Sequence, residues 1–287
     1  MRWPGRLAAA LLGLAAVAAA VPAQQDLRAS EAGLRWTGEV TQGGLIKGQV
    51  PAGASTLTLD DKPVTIAADG RFIIGFDRDA PTAATLTVTF ADGHRLVRPL
   101  TIAARGWNIS RLPTLAKTPL PDAEFARIRP AEQAQIEAAR RTVTDAAGWR
   151  QAFSWPLTGR ISTLFGSQRI YANGEAGSYH SGIDIARPTG TVVLAPADGV
   201  VIFAADHPFT LEGNLLLVDH GMGLESAFLH LSRIDVRAGD HVRQGQPIGL
   251  VGMTGRATGP HLHWGLRWRG ARLDPLLVAG AMPVATR

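Results

Sequence analysis

Near the end of the chain, Gly259-Pro260-His261-Leu262-His263-Trp264 sets two imidazoles two residues apart, inside an alternation that continues through Leu266 and Trp268. Residues two apart on a β-strand face the same side of a sheet. His261 and His263 therefore stand side by side, while Leu262, Trp264, Leu266 and Trp268 turn to the other face. The segment asks for a strand with one apolar face to bury and one face that carries chemistry.

An earlier string, Tyr179-His180-Ser181-Gly182-Ile183-Asp184, supplies a third imidazole and a carboxylate. His180 sits in the Gly/Ser-rich turn Glu175 to Gly182, and Thr258-Gly259-Pro260 is a second turn before His261, so both groups lie where a loop enters a sheet. Two neutral imidazoles and one carboxylate, with a fourth position left for water, make the ligand set of a catalytic zinc. An imidazole titrating near pH ~6.5 that is not a ligand can move protons beside such a metal. Which of the two strand histidines ligates is left open by the spacing. The other histidines read differently: His220 in Val218-Asp219-His220-Gly221 as a structural hydrogen bonder at a strand end, and His207, His241 and His94 as loop or surface positions. Asp198 and Asn214 read as turn residues beside glycines.

Three segments together resemble the signatures of the lysostaphin-type zinc endopeptidases, or LytM-domain proteins: Tyr179 to Ala186, Leu229-His230-Leu231-Ser232, and Gly255 to His263. The likeness runs from Phe153 to about Leu277 in the family's order and spacing. It implies that His180, Asp184 and His263 hold Zn²⁺ and that His230 and His261 flank the activated water as catalytic groups. It further implies hydrolysis of peptide cross-links in peptidoglycan, with stem peptides as the partner. The family also holds members that have lost ligands and act as wall binders or as activators of another hydrolase; here all five residues are present. One departure is Gly265, where many members carry an acidic residue.

The N-terminus reads as an export signal. Arg2 and Arg6 precede an apolar stretch from Leu7 to Ala20, and Val21-Pro22-Ala23 offers a small-residue cleavage site, which directs the chain to a periplasm. The stretch is short for a membrane span, so no stable span is expected once it is cut. With no cysteine, neither a disulfide framework nor an N-terminal lipid-modified Cys is available. The formal charge is +5, and loss of Arg2 and Arg6 with the leader leaves +3. No Lys/Arg run marks a nucleic-acid surface.

The pattern of the rest is all-β in two parts joined by a helical linker. A signal at 1–23 precedes a small β-sandwich over 24–108, in which Ser55–Leu59, Arg71–Phe76 and Thr85–Phe90 alternate between Asp60-Asp61, Asp69-Gly70 and Asp92-Gly93 turns. The 109–150 segment reads as an extended connector with Pro113, Pro119, Pro121 and Pro130, then a helix from Ala131 to Trp149. Helix and sandwich together are expected to restrict access to the site. Over 151–287 the Gly-punctuated runs 191–194, 200–203, 214–218 and 247–251 predict an antiparallel sheet domain. Val236 to Gly249 resembles the hairpin of lipoyl and biotinyl carriers, but no lysine follows Lys117 to be modified, which removes that reading.

Overall fold

The computed structural model describes residues 33–111, 123–171 and 174–283. The expected leader and the stretch holding Pro113, Pro119 and Pro121 lie outside the described residues.

The N-terminal runs form two antiparallel sheets facing each other. One contains Arg35–Gly38, Leu45–Gln49 and Arg71–Gly75; the other contains Lys62–Val64, Ala54–Leu59, Ala83–Phe90 and Arg95–Thr101. Alternation sends Ile46, Phe72, Ile74, Leu57, Leu86 and Val88 inward, each no more than 2% exposed. Asp60 and Asp61 have φ of 47° and 63°, the left-handed pair that a two-residue hairpin requires and that Asp tolerates. This is the small sandwich that the sequence pattern predicts.

The linker helix differs from expectation. It spans Ala123–Arg140 (α1), with Pro130 inside it, rather than starting at Ala131 and reaching Trp149. Pro130 removes one backbone donor, which normally ends a helix. Here tertiary anchors on both sides of the proline hold the helix through: Arg129 and Glu132 reach the 210–212 loop, and Ile136 and Ala139 bury against Leu215 and Leu217. After Arg140 the chain leaves the helix, and Trp149 lies in a single 3-10 turn, Gly148–Arg150, where it is buried.

The C-terminal half is built on one antiparallel sheet. Its order is His241–Val242, Gly199–Ala204, Asn214–Asp219, Leu224–Leu231, His261–Trp268, Gly182–Ala186 and Arg160–Thr163, with Ala271–Leu273 paired to the end of the His261 strand. One face carries Ile183, Ile185, Leu216, Phe228, Leu262, Trp264 and Leu266, all at most 1% exposed. The Val192–Leu194, Pro247–Leu250 and Arg233–Ile234 strands form a small second sheet in the same core. The opposite face is where α1 lies, over Leu215, Leu217, Ala227 and Leu229. A short helix, Pro275–Ala279 (α2), is capped by Asp274. Asn214, expected in a turn, instead opens a strand and donates its side-chain amide to the Leu231 carbonyl.

The two halves share a single apolar core, in which Gly75 lies against Leu273 and Trp268. Polar contacts fix them further. Arg105 pairs with the buried Asp274 at 2.8 Å, and Arg150 with Asp69 at 2.5 Å. Among the described residues, no helix is long and apolar enough to cross a membrane.

Beneath the site strand runs a buried polar chain. Trp264 Nε1 donates to Ser226 Oγ at 3.3 Å, Ser226 Oγ donates to His220 Nε2 at 2.8 Å, and His220 Nδ1 donates to the Asp198 carbonyl at 2.8 Å. His220 is fully buried, and burial pushes its pKa down from 6.5 to about 4. The imidazole is therefore held neutral, with the unfolded chain protonating first as pH falls. Stability from this group is complete above pH ~6.5 and is lost as pH drops toward 4, by roughly 3 kcal/mol in all. An NMR titration of the folded protein should find His220 still neutral at pH ~5, with urea-unfolding free energy falling over the same window; a His220 that titrates near 6.5 in the folded state would contradict this.

Candidate metal centre

The His261–Trp268 strand is paired on both sides, and its register sets the site. On one side His263 lies directly opposite Asp184, and Trp264 opposite Ile183; on the other, His263 lies opposite Leu229. Asp184 and His263 thus meet as a cross-strand pair on the face away from the core. His180 arrives from the turn before the Gly182–Ala186 strand. Its Nδ1 donates to the Leu164 carbonyl at 3.1 Å, which turns Nε2 toward the other two groups.

Three potential ligand atoms converge tightly. His180 Nε2 lies 2.9 Å from Asp184 Oδ1 and 2.9 Å from His263 Nδ1, and His263 Nδ1 lies 2.9 Å from Asp184 Oδ1. With the His180 Nδ1 proton given to Leu164, Nε2 is an acceptor aimed at a carboxylate oxygen, also an acceptor. Such a pair repels unless a cation sits among the atoms, so the donor set fits a metal ion. Among the described residues, His180, Asp184 and His263 form a group able to hold a metal ion, their potential ligand atoms all lying within 4.8 Å of one another. Burial alone would raise the Asp184 carboxyl, but the electrostatic influence of the adjoining His180 and His263 outweighs it and holds the group well below the usual carboxylate range. Burial also pushes His263 down.

Close approach here requires a glycine. A side chain at Gly182 would meet the Trp264 carbonyl and come within 2.8 Å of His263 Nε2.

The two remaining imidazoles flank this cluster. His261 Nδ1 donates to the Gly259 carbonyl at 2.8 Å, and its Nε2 lies 3.8 Å from Asp184 Oδ1. His230 Nδ1 donates to the Thr254 carbonyl at 2.8 Å, and its ring is 4.8 Å from that of His261 and 6.4 Å from that of His263. Both rings therefore keep Nε2 as an acceptor. His230 is brought to the site by a bulge, because Asn214 pairs with Leu231 while Leu216 pairs with Phe228, which leaves an extra residue on the Leu224–Leu231 strand. At the bulge His230 takes a φ of 64°, unusual for a residue with a side chain. Burial lowers its pKa to about 4, and the neighbouring histidines add to this.

The other histidines stand apart from the cluster. His94, His207 and His241 are exposed, and His220 serves the network beneath the sheet.

Sequence patterns do not reveal the supports supplied by the N-terminal sandwich. Arg78, whose side chain is 7% exposed, donates to the Gly166 carbonyl at 3.1 Å and to Gln168 Oε1 at 3.1 Å. Gly166 N donates to the His180 carbonyl at 2.9 Å, and His180 N to the Ser167 carbonyl at 2.8 Å. Tyr179, beside His180, donates its hydroxyl to Asp77 Oδ1 at 3.0 Å, and its ring lies between the guanidiniums of Arg78 and Arg272. The loop that carries His180 is thus braced by Asp77 and Arg78, about a hundred residues away in sequence.

The α1 helix forms a wall of the groove on this face. Arg129 pairs with Glu212 through two contacts of 2.6 and 2.7 Å, Glu132 accepts from Thr210 N and Oγ1, and Arg140 pairs with Glu225 at 2.7 Å. The Glu212 carbonyl in turn accepts from His230 N at 2.8 Å, so the helix also steadies the His230 bulge.

Residues 178–275 match the profile of Peptidase family M23. Over 41% of its length the chain is 44% identical to the peptidoglycan DD-endopeptidase ShyA of Vibrio cholerae, and over 45% it is 41% identical to the DD-carboxypeptidase/endopeptidase Mpg of Neisseria meningitidis. A crystal structure of a candidate M23 peptidase from Pseudomonas aeruginosa matches with a TM-score of 0.64 at 29% identity, covering 85% of this chain and 96% of that one. Residues 178–275 are thus a Peptidase family M23 domain. It spans 27% and 29% of the lengths of ShyA and Mpg. The M23 match takes in His180, Asp184, His230, His261 and His263, whereas the Pseudomonas likeness extends into the sandwich that braces them.

Because Arg78 holds the His180 loop from outside the M23 segment, its loss should loosen the ligand without touching it. Arg78→Ala is expected to weaken metal affinity roughly 10–100-fold, the usual range for a group that orients a ligand. Chelator competition on a folded variant measures it, and wild-type affinity would show the brace to be dispensable.

Proposed function

We propose that this chain is a zinc-dependent endopeptidase that hydrolyses peptide cross-links of peptidoglycan, with His180, Asp184 and His263 holding the metal. The observation that carries this reading is the convergence of those three groups at 2.9 Å with two further imidazoles beside them. The activities for which ShyA and Mpg are named support peptidoglycan as the substrate class. Export to a periplasm by the 1–23 leader belongs to the same proposal, since the polymer lies outside the cytoplasm. A non-catalytic wall binder is less well supported, because it would not need His230 and His261 held so closely against a complete ligand set.

When bound, Zn²⁺ lowers the pKa of a water toward ~7 and polarises a carbonyl. The chain's own groups then divide the remaining work. His230 and His261 are anchored through Nδ1 and present Nε2 as a proton acceptor toward the cluster. Low pKa keeps His230 neutral at pH 7, so its Nε2 is available to accept. A histidine that has taken a proton from the attacking water is a cation, able to stabilise developing negative charge and pass the proton to the leaving amine. Leu164, Gly259 and Thr254 contribute the carbonyls that fix the ring orientations in advance.

Ligand and proton carrier are distinguishable by substitution. His180→Ala, Asp184→Ala and His263→Ala should each lose tight zinc binding and activity on purified sacculi. His230→Ala and His261→Ala should keep zinc and fold while losing roughly 10²–10⁴ in rate. Near-stoichiometric zinc in the His263→Ala protein, or its loss from His261→Ala alone, would reverse the two roles.

The position of α1 supports restricted access to this face. Ile136→Asp should displace the helix and raise the rate on intact sacculi more than on a short soluble cross-linked peptide. If limited proteolysis shows the helix displaced and the sacculus rate does not rise, the helix is a wall only.

A further inference from the structure

Beyond the ligand row, the groove floor has an unusual composition. Asp184, His263 and Leu229 lie side by side across three strands; two residues further along, the same face presents Gly182, Gly265 and Ala227. Two residues further again lie Arg267 and its cross-strand neighbour Arg272. At ~3.4 Å per residue the smooth strip is about 7 Å from the Asp184–His263 pair, and the arginines start about 14 Å away. Nothing forces a glycine at 265: a side chain there would meet Ser181 O at 3.5 Å, His263 Nε2 at 3.6 Å and Ala227 Cβ at 3.9 Å, all ordinary contacts. Gly265 and Ala227 line a pocket of about 510 Å³ together with His263, Arg267, Arg272 and residues of α1.

The charge at the far end is not balanced. Arg140 takes Glu225 at 2.7 Å and Glu137 at 3.1 Å. Arg267 lies across the strands from Glu225, whose close partner is Arg140, and its own ion-pair contact is a long one to the same Glu137 at 3.8 Å. The Arg272 guanidinium stacks on Tyr179, 5.0 Å from the ring centre, and among the described residues no carboxylate lies within ion-pair distance of it. Burial, together with the charge of Arg140 and Arg272, depresses Arg267. Two crowded guanidiniums at the end of a featureless trough are short of an anion.

We propose that Arg267 and Arg272 hold a carboxylate of the peptide substrate, whose backbone lies over the Gly182–Gly265–Ala227 strip between the metal centre and the arginines. This rests on the peptidase reading above. Guanidinium forks match carboxylates bidentately, and Gly265 leaves room for the chain where an acidic side chain would both fill the strip and repel the ligand. The carboxylate has two sources in a cross-linked stem peptide, a chain terminus or the free carboxyl of a bridging diamino acid.

The test uses the full mature chain and synthetic cross-linked peptides with both carboxylates free, or with one or the other amidated. Direct binding is measured by calorimetry, separately from cleavage. Amidation of one carboxylate should weaken binding to wild type about tenfold or more, and its position identifies the source. Arg267→Gln with Arg272→Gln should lose the same factor on the free peptide and nothing on that amidated one, raising KM with kcat little changed. Arg267→Lys should recover part of the loss, and Gly265→Glu should weaken the free peptide most. Unfolding midpoints check that each variant is folded. Equal binding of free and amidated peptides, equal losses on both, or no binding at all overturns the proposal. Carboxylate-dependent binding without cleavage by zinc-loaded wild type keeps this site and removes the peptidase reading; cleavage indifferent to amidation does the reverse.

Discussion

The pairing of the His261–Trp268 strand with a neighbour on each side is the constraint on which the rest depends. Because side chains alternate, a slip of one residue would send His263 into the core and Trp264 into the groove. Trp264, Leu262 and Leu266 resist that slip, being at most 1% exposed against Ile183, Ile185 and Phe228. Full burial of each such side chain is worth ~1.5–3 kcal/mol, so the register is held by several kcal/mol of apolar burial. The ligand geometry follows from it, because Asp184 faces His263 only in this register. The hydrogen-bonded run from Trp264 to Ser226 to His220 adds a directional lock on the buried side.

What the strand does not fix, loops must, and loops are the less stable parts of a fold. His180 and His230 both come from irregular backbone, one from a turn and the other from a bulge with positive φ. Each is steadied from a different part of the chain. Arg78 and Asp77 of the sandwich hold the His180 loop, and α1 holds the 210–212 segment whose carbonyl receives His230 N. A sandwich acting only as a spacer would not bury an arginine against the ligand loop. It forms part of the site's support.

Much of the centre was legible in the sequence, for a physical reason. The His-Leu-His alternation and the His-x-x-x-Asp spacing are local, and local periodicity translates directly into which face a side chain takes. The strand runs between Asp-Gly and Asp-Asp turns were legible on the same ground. The bounds of α1 were not. Pro130 argues for a helix start, and the contacts of Arg129 and Glu132 that override it lie some eighty residues away. Arg78 was equally hidden, since a single arginine in a turn has no periodicity and its partners at Gly166 and Gln168 are defined only by the fold. The conformation of His230 leaves no trace either, because a bulge is a property of two strands together.

The groove follows a division of labour between the two faces of one sheet. On the core side large aromatic and branched residues interlock. On the other, the same strands carry Asp184 and His263, then Gly182, Gly265 and Ala227, then a row of charge. Such a face cannot bury itself against a neighbouring layer without leaving charges unpaired, and α1 meets it accordingly. It packs apolar against Leu215 and Leu217 at one edge and with Arg129, Glu132 and Arg140 toward the groove. The helix can therefore lie beside the site without collapsing onto it. The space it leaves is lined by groups that prefer a polar, charged guest to an apolar one.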